Sequence, residues 1–312
     1  MSVAGAYVRS GTARERAVAG AAMIVGTSVT IQLAAAIAHD LFDRPGPLGA
    51  SAIRFALGAV ILFAIVRPAI RGRDAATWGV VAAYGASLAA LNVAFFQAIS
   101  LIPMGIAVTL SFIAPLAMAL LRSRRRRDVA WALLAGAGVA TLGGFDRPGS
   151  ASGVLFAIAA GCAWVGVAYA GRGVGRRTHR VDGLALAIPI AALITLPFGI
   201  GHAGAVDEGS LAIGLVIAVG GLIIPFALEL EGLRRLEPRT VAVVYSTDPA
   251  IAAFVGLVAL GEQLTALQAA ALVAVAVASA GATADASDSD ALSPLDAHHE
   301  APLRPPGRAS SR

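Results

Sequence analysis

Pro103-Met104-Gly105-Ile106-Ala107-Val108, followed by Ser111 and Pro115, and Pro238-Arg239-Thr240-Val241-Ala242-Val243, followed by Ser246 and Pro249, are one pattern written twice about 135 residues apart. In each copy a proline opens a run of small and branched apolar residues. A second proline, Pro115 or Pro249, then interrupts the run and reads as a helix break. Each copy lies inside a long apolar stretch, so the surroundings decide what kind of chain carries the repeat.

Those surroundings are a membrane protein's. Of 312 residues 57% are apolar and 14% charged, against roughly 45–50% and about 25% in a soluble domain. Mean hydropathy is +0.77. Reading between charged breaks gives ten candidate spans of the length a bilayer requires. They run roughly over 18–39, 48–66, 76–99, 102–121 and 129–145, then over 153–170, 183–200, 211–230, 240–260 and 264–283. Each copy of the pattern falls in the fourth span of its five. Five is odd, so the second copy enters the membrane from the opposite side. A duplication can persist for packing alone, but inverted repeats are the architecture of many secondary transporters, with the substrate site at the repeat interface. The expected fold is therefore all-α integral membrane: ten transmembrane helices as two inverted five-helix repeats, over 18–145 and 153–283. A cytoplasmic N-terminal segment, 1–17, precedes them, and a polar tail, 284–312, follows and is expected to be disordered.

The arginines set the direction. All 24 basic residues are Arg, and cytoplasmic loops accumulate basic residues. With the N-terminus inside, 21 fall in inside segments and only Arg44 and Arg147 outside, while Arg54 lies within a span. Both termini are then cytoplasmic, in the cell (plasma or inner) membrane. The run Arg122–Arg127 is a topology anchor and not a nucleic-acid patch. The first apolar run is longer than a signal peptide's and is followed by further spans, so it reads as an uncleaved helix. The absence of Lys excludes a Walker A loop and Schiff-base chemistry. A single Cys, Cys162, excludes an intramolecular disulfide and a Cys-rich metal site. His298-His299 lies in the solvated tail, no HExxH occurs, and no span offers a His beside a nucleophile. No catalytic residue, metal site or enzyme activity is expected.

A resemblance can now be stated on its residues. Gln32, Ile53-Arg54-Phe55-Ala56-Leu57-Gly58, Asn92-Val93-Ala94-Phe95-Phe96, the first copy of the pattern and Pro115-Leu116-Ala117 carry it in the first half. Arg239-Thr240, Pro249-Ala250 and Gly261-Glu262-Gln263-Leu264-Thr265 carry it in the second. The chain resembles the drug/metabolite transporter superfamily, EamA type, in its threonine/homoserine exporter branch. The resemblance implies two EamA repeats, no cofactor, and export of small metabolites, in this branch amino acids, coupled to an ion gradient. The expected mechanism is proton antiport, and the expected partners are a small-molecule substrate, protons, membrane lipids and a second copy of the chain in a homodimer; nucleic acid is not among them. Two departures stand out. Ser111 replaces the family's Glu four residues before the first-repeat proline, and Asp248-Pro249 replaces Glu-Pro in the second.

Ionisable groups inside a membrane cost about +2.5–3.5 kcal/mol on insertion scales, so each needs a reason. Asp248, mid-span, can hold a proton or a substrate amine, or can cap the helix at the Pro249 break. Arg54 can clamp a substrate carboxylate, snorkel to the interface or pair with a carboxylate. Glu229 either reaches the cavity or, with Glu231, is solvated or paired with Arg234 and Arg235. Gln32, Asn92 and Gln97 either line the cavity or hydrogen-bond between helices. Glu262, in the short loop before the last span, reads as a cap. The expected ligand position is between Arg54 and Asp248. The rival readings are an EamA permease for another solute (a drug-like amine or a sugar) and a lipid-handling membrane protein, which a lateral groove would favour.

Overall fold

The computed structural model describes residues 13–122, 150–178, 181–201, 204, 206–236, 240, 244–245, 247–263, 265–274 and 277, and these contain no strand. The helices are α1 Ala13–Ala38, α2 Gly46–Val66, α3 Ala75–Ile99, α4 Met104–Ser111, α5 Ile113–Arg122, α6 Ser150–Arg177, α7 Asp182–Ile200, α8 Glu208–Ala218, α9 Ile224–Leu233 and α10 Asp248–Ala259. A further helical stretch covers 266–274. Six helices among the described residues, α8 and α9 forming one of them, are long and apolar enough to cross a membrane. The span expected at 129–145, residues 1–12, the tail with His298 and His299, and Pro238, Arg239 and Ser246 of the second copy lie outside the described residues.

The fourth and ninth spans are interrupted near Pro115 and Pro249, the prolines read as helix breaks, and the eighth, expected to be regular, is distorted at a third, Pro225. In the fourth, α4 ends at Ser111 and α5 resumes at Ile113. Pro115 has no N–H to return to the Ser111 carbonyl one turn earlier, so the break falls ahead of the proline that causes it. In the eighth, α8 joins α9 through a wide π turn, Val219–Ile223, and Pro225 leaves the Gly221 carbonyl without its helical donor. In the ninth, α10 starts at Asp248 with Pro249 in its first turn, a position where the missing N–H is not needed.

Asp74 and Asp207 start α3 and α8 alike. The Asp74 carboxylate accepts from Thr77 N at 3.0 Å, and Asp207 from Ser210 N at 2.7 Å, so both supply the orphan donors of a first turn. Hydrogen bonds from Thr77, through its hydroxyl and then its backbone, hold the Asp74 carboxyl below its usual range. Those from Ser210, backbone first, do the same for Asp207. Arg67 closes α2 in the left-handed conformation, φ 48, normally glycine's, and its N–H still bonds Phe63 O at 2.9 Å.

Packing follows from small residues. α2 lies along α7, α3 along α6 and α7, α1 along α9 and α10, and α2 touches α8, while α4 packs on α6 and α10. At Gly105 a Cβ would stand 2.8 Å from Ala253 Cα, so α4 and α10 meet backbone to backbone. The core is largely alanine there, with Phe96, Met104 and Leu110 fully buried, while Val60, Ile65, Leu155, Leu193 and Val258 point outward, as a lipid-facing surface requires.

Candidate functional site

The polar groups inside the bundle follow one another along α1, α3 and α10. Arg54, on α2, anchors the first group. Its Nη2 donates to Gly221 O at 2.5 Å, the carbonyl that Pro225 leaves open. Its guanidinium lies 5.6 Å from the Phe96 ring centroid. Gly221 is pressed against α1, where an added Cβ would come 2.9 Å from Ala34 Cβ. Arg54 thus does not snorkel, and among the described residues no carboxylate pairs with it and its buried Nε has no partner. Gln32, two residues before Ala34, and Asn92, one turn before Phe96, are 4% and 6% exposed, and each buries an unpartnered side-chain oxygen.

One turn along α1 from Gln32, about 6 Å, the Ser28 hydroxyl donates to the Asp248 carboxylate. Asp248 is 7% exposed. The capping alternative does not hold: Thr247 occupies the cap position of α10 without a side-chain cap bond, and the Asp248 oxygen is turned to Ser28. Three residues before Asp248, the Tyr245 hydroxyl donates to Glu229 at 2.5 Å. Glu231 faces the other way and takes Arg235 at 2.7 Å and Arg234 at 3.4 Å. The arginine pairing weighed for both glutamates therefore belongs to Glu231, whose carboxyl Arg235 holds below its usual range.

Other candidates fall apart from this set. The Ser111 hydroxyl donates to Ala107 O at 2.8 Å and Ala157 O at 3.1 Å, within the seam of α4 and α6. Gln97 is half-buried near the end of α3, and its main-chain carbonyl accepts from the Ser100 hydroxyl at 2.9 Å. Pro115 is half-buried in α5 and Pro249 buried in α10. Glu262 does cap, but it caps α4: both its oxygens accept from Met104 N, at 2.8 and 3.0 Å. Burial raises its carboxyl's pKa and the Met104 bond lowers it, burial being the larger influence. The stretch 266–274 has its own reciprocal cap in Thr265 and Gln268.

The described ion pairs are Arg73–Asp182 at 3.2 Å and those of Glu231, so Arg54 and Asp248 are not paired with each other in this state. Among the described residues no three His, Cys, Asp or Glu lie together to hold a metal ion. A lateral groove of about 430 Å³ runs between α1 and α10 along Val29, Leu33, Ile251, Phe254 and Val255. Among the described residues Thr247 is the one polar side chain lining it, and its hydroxyl donates to Val244 O at 2.7 Å. Sequence reasoning missed Ser28, Tyr245 and the Gly221 carbonyl. Only Pro225, four residues past Gly221, signalled any of them.

Chemically, the set offers a carboxylate with a hydroxyl partner, an arginine with a spare N–H, and two free amide oxygens. These can hold a proton, a carboxylate and an ammonium. Known proteins narrow the reading. The profile of the EamA-like transporter family matches residues 151–283. The threonine/homoserine exporter RhtA of Salmonella typhimurium (strain LT2) is 38% identical over 251 residues, 78% of this chain and 84% of that protein. RhtA of Escherichia coli (strain K12) is 37% identical over the same shares. A protein of known crystal structure shares the fold at a TM-score of 0.60 and 21% identity, over 86% of this chain and 98% of that one. The chain is a multi-pass membrane protein, a transporter and not an enzyme, and it belongs to the EamA-like transporter family.

Proposed function

We propose that the protein exports amino acids such as threonine or homoserine from the cell by proton antiport, with Asp248 as the group that exchanges the proton. The relatives' names supply the substrate. One observation carries the coupling: Asp248 is buried among helices with the Ser28 hydroxyl, and no cation, as its partner among the described residues. A carboxylate in that position must be neutralised by a proton or by a cationic ligand whenever the site closes.

Ten helices in two inverted repeats give the motion. The packing supports this, because the contacts between the halves pair off when the halves are exchanged. α3 on α6 answers α1 on α9, α4 on α6 answers α1 on α10, and α3 on α7 answers α2 on α8. α2 on α7 and α4 on α10 answer themselves. Sidedness is supported by Arg73 with Asp182, both in segments expected inside, and by Met104, at the outer end of the fourth span, with Glu262, expected outside. The ligand sits between Arg54 and Asp248, and the halves rock around it. Counterflow of labelled threonine in proteoliposomes tests the reading: wild-type protein should exchange threonine, and an imposed pH gradient should drive accumulation. Exchange of an unrelated amine or sugar in its place would pass the function to that solute.

A further inference from the structure

Among the described residues three buried polar atoms are left without partners: Gln32 Oε1 and Asn92 Oδ1, both acceptors, and Arg54 Nε, a donor. A folded protein pairs nearly all such atoms, so an open one calls for an explanation. Arg54 lies over Phe96, one turn from Asn92, and Gln32 shares a face of α1 with Ser28, one turn away, whose hydroxyl meets Asp248. Along their helices Asn92 and Gln32 both lie on the Ser28 and Asp248 side of the guanidinium's contacts.

We propose that these three side chains form a pocket that reads the zwitterionic end of an α-amino acid, an inference that rests on the export reading above. The α-carboxylate accepts from Arg54 Nε, and the α-ammonium donates to Gln32 Oε1 and Asn92 Oδ1. The inventory decides against the rival solutes. A simple amine leaves the Arg54 donor open, a carboxylic acid without an ammonium leaves both amide oxygens open, and a sugar hydroxyl offers no charge to either. With Nη2 held by Gly221, the guanidinium is oriented before the ligand arrives.

The test uses the full-length protein in nanodiscs and three probes: L-threonine, N-acetyl-L-threonine, which lacks the ammonium, and L-threoninamide, which lacks the carboxylate. Binding and thermal stability are read together. Wild-type protein should prefer threonine to either derivative by at least about tenfold, one charged hydrogen bond's worth. Gln32→Met and Asn92→Leu should each lose about tenfold for threonine and nothing for N-acetyl-threonine. Arg54→Lys should erase the preference for threonine over threoninamide. Removing an unpaired buried oxygen should leave the ligand-free Tm of Asn92→Leu equal or higher, which a structural role for Asn92 would reverse. Equal losses for threonine and its N-acetyl form, or a lowered ligand-free Tm with threonine binding intact, would overturn the pocket and leave export standing. A wild-type protein that takes none of the three probes would overturn the amino-acid reading itself, and that result needs no variant.

Discussion

Ser111 and Asp248 face opposite halves of the molecule from α4 and α10, two helices that pack backbone to backbone. Ser111 turns to Ala157 of α6, and Asp248 turns to Ser28 of α1. In the first seam a hydroxyl gives its proton to main-chain carbonyls, and the contact is uncharged. In the second a hydroxyl gives its proton to a carboxylate. The packing of the two seams is alike and their chemistry is not. Elsewhere the halves agree: Asp74 with Thr77 and Asp207 with Ser210 are the same cap 133 residues apart. The two helix starts are thus alike, while among the described residues a titratable group stands in one seam only. We assign rocking to both seams and the proton to one.

The comparison breaks most visibly if the chemistry is moved. Ser111→Glu puts a carboxyl opposite the Ala107 and Ala157 carbonyls, which are acceptors and give nothing back. It should cost about 3 kcal/mol, the penalty for an unpaired charge in a span, read as loss of folded protein on detergent gel filtration. Normal yield and stability would mean that the first seam can host a charge as readily as the second. Gly161→Val attacks the packing instead. A Cβ there would stand 3.0 Å from the Ser111 carbonyl carbon and closer still to its oxygen. Overpacking of this kind costs about 1–3 kcal/mol, and thermal unfolding should show it without any change in pH dependence.

A smaller effect, about 1 kcal/mol for a lost cap, is expected of Glu262→Ala, which frees Met104 N at the start of α4. Hydrogen exchange should rise at the first turn of α4 while α10 stays protected; an unchanged α4 would separate the clasp from the seam. Smallest of all are Asp74→Ala and Asp207→Ala. The folded carboxyls lie below their ordinary value of 3.8, so each cap's contribution is whole above that pH. It is lost as pH falls through the folded value. Wild-type and variant stabilities should therefore differ modestly at neutral pH and converge in acid, equally for both caps. Unequal losses would show that the two halves do not share their helix starts.

The legible features were those that depend on composition and local pattern. Apolar runs gave the long helices, and the doubled proline pattern marked α4 and the start of α10. What escaped depends on partners distant in sequence. Nothing near Ser28 announces Asp248, 220 residues away. Glu262 read as a local cap, yet its acceptors meet Met104, 158 residues away. The break in the fourth span also came earlier than Pro115, because a proline withdraws its donor from the turn before it. Arg54 shows the same limit: nothing near it in sequence announces that its Nη2 meets the Gly221 carbonyl, opened by Pro225 on another helix.

The most direct measurement is threonine transport against its own gradient in vesicles with an imposed pH difference, comparing wild-type protein with Asp248→Asn. Labelled-threonine exchange at equal pH is run beside it as the control for folding and binding. If Asp248 alone carries the proton, the Asn variant keeps exchange but loses accumulation, and Asp248→Glu keeps part of it with a shifted pH optimum. Undiminished uphill transport by Asp248→Asn would contradict the account and place the proton outside the α1–α10 seam.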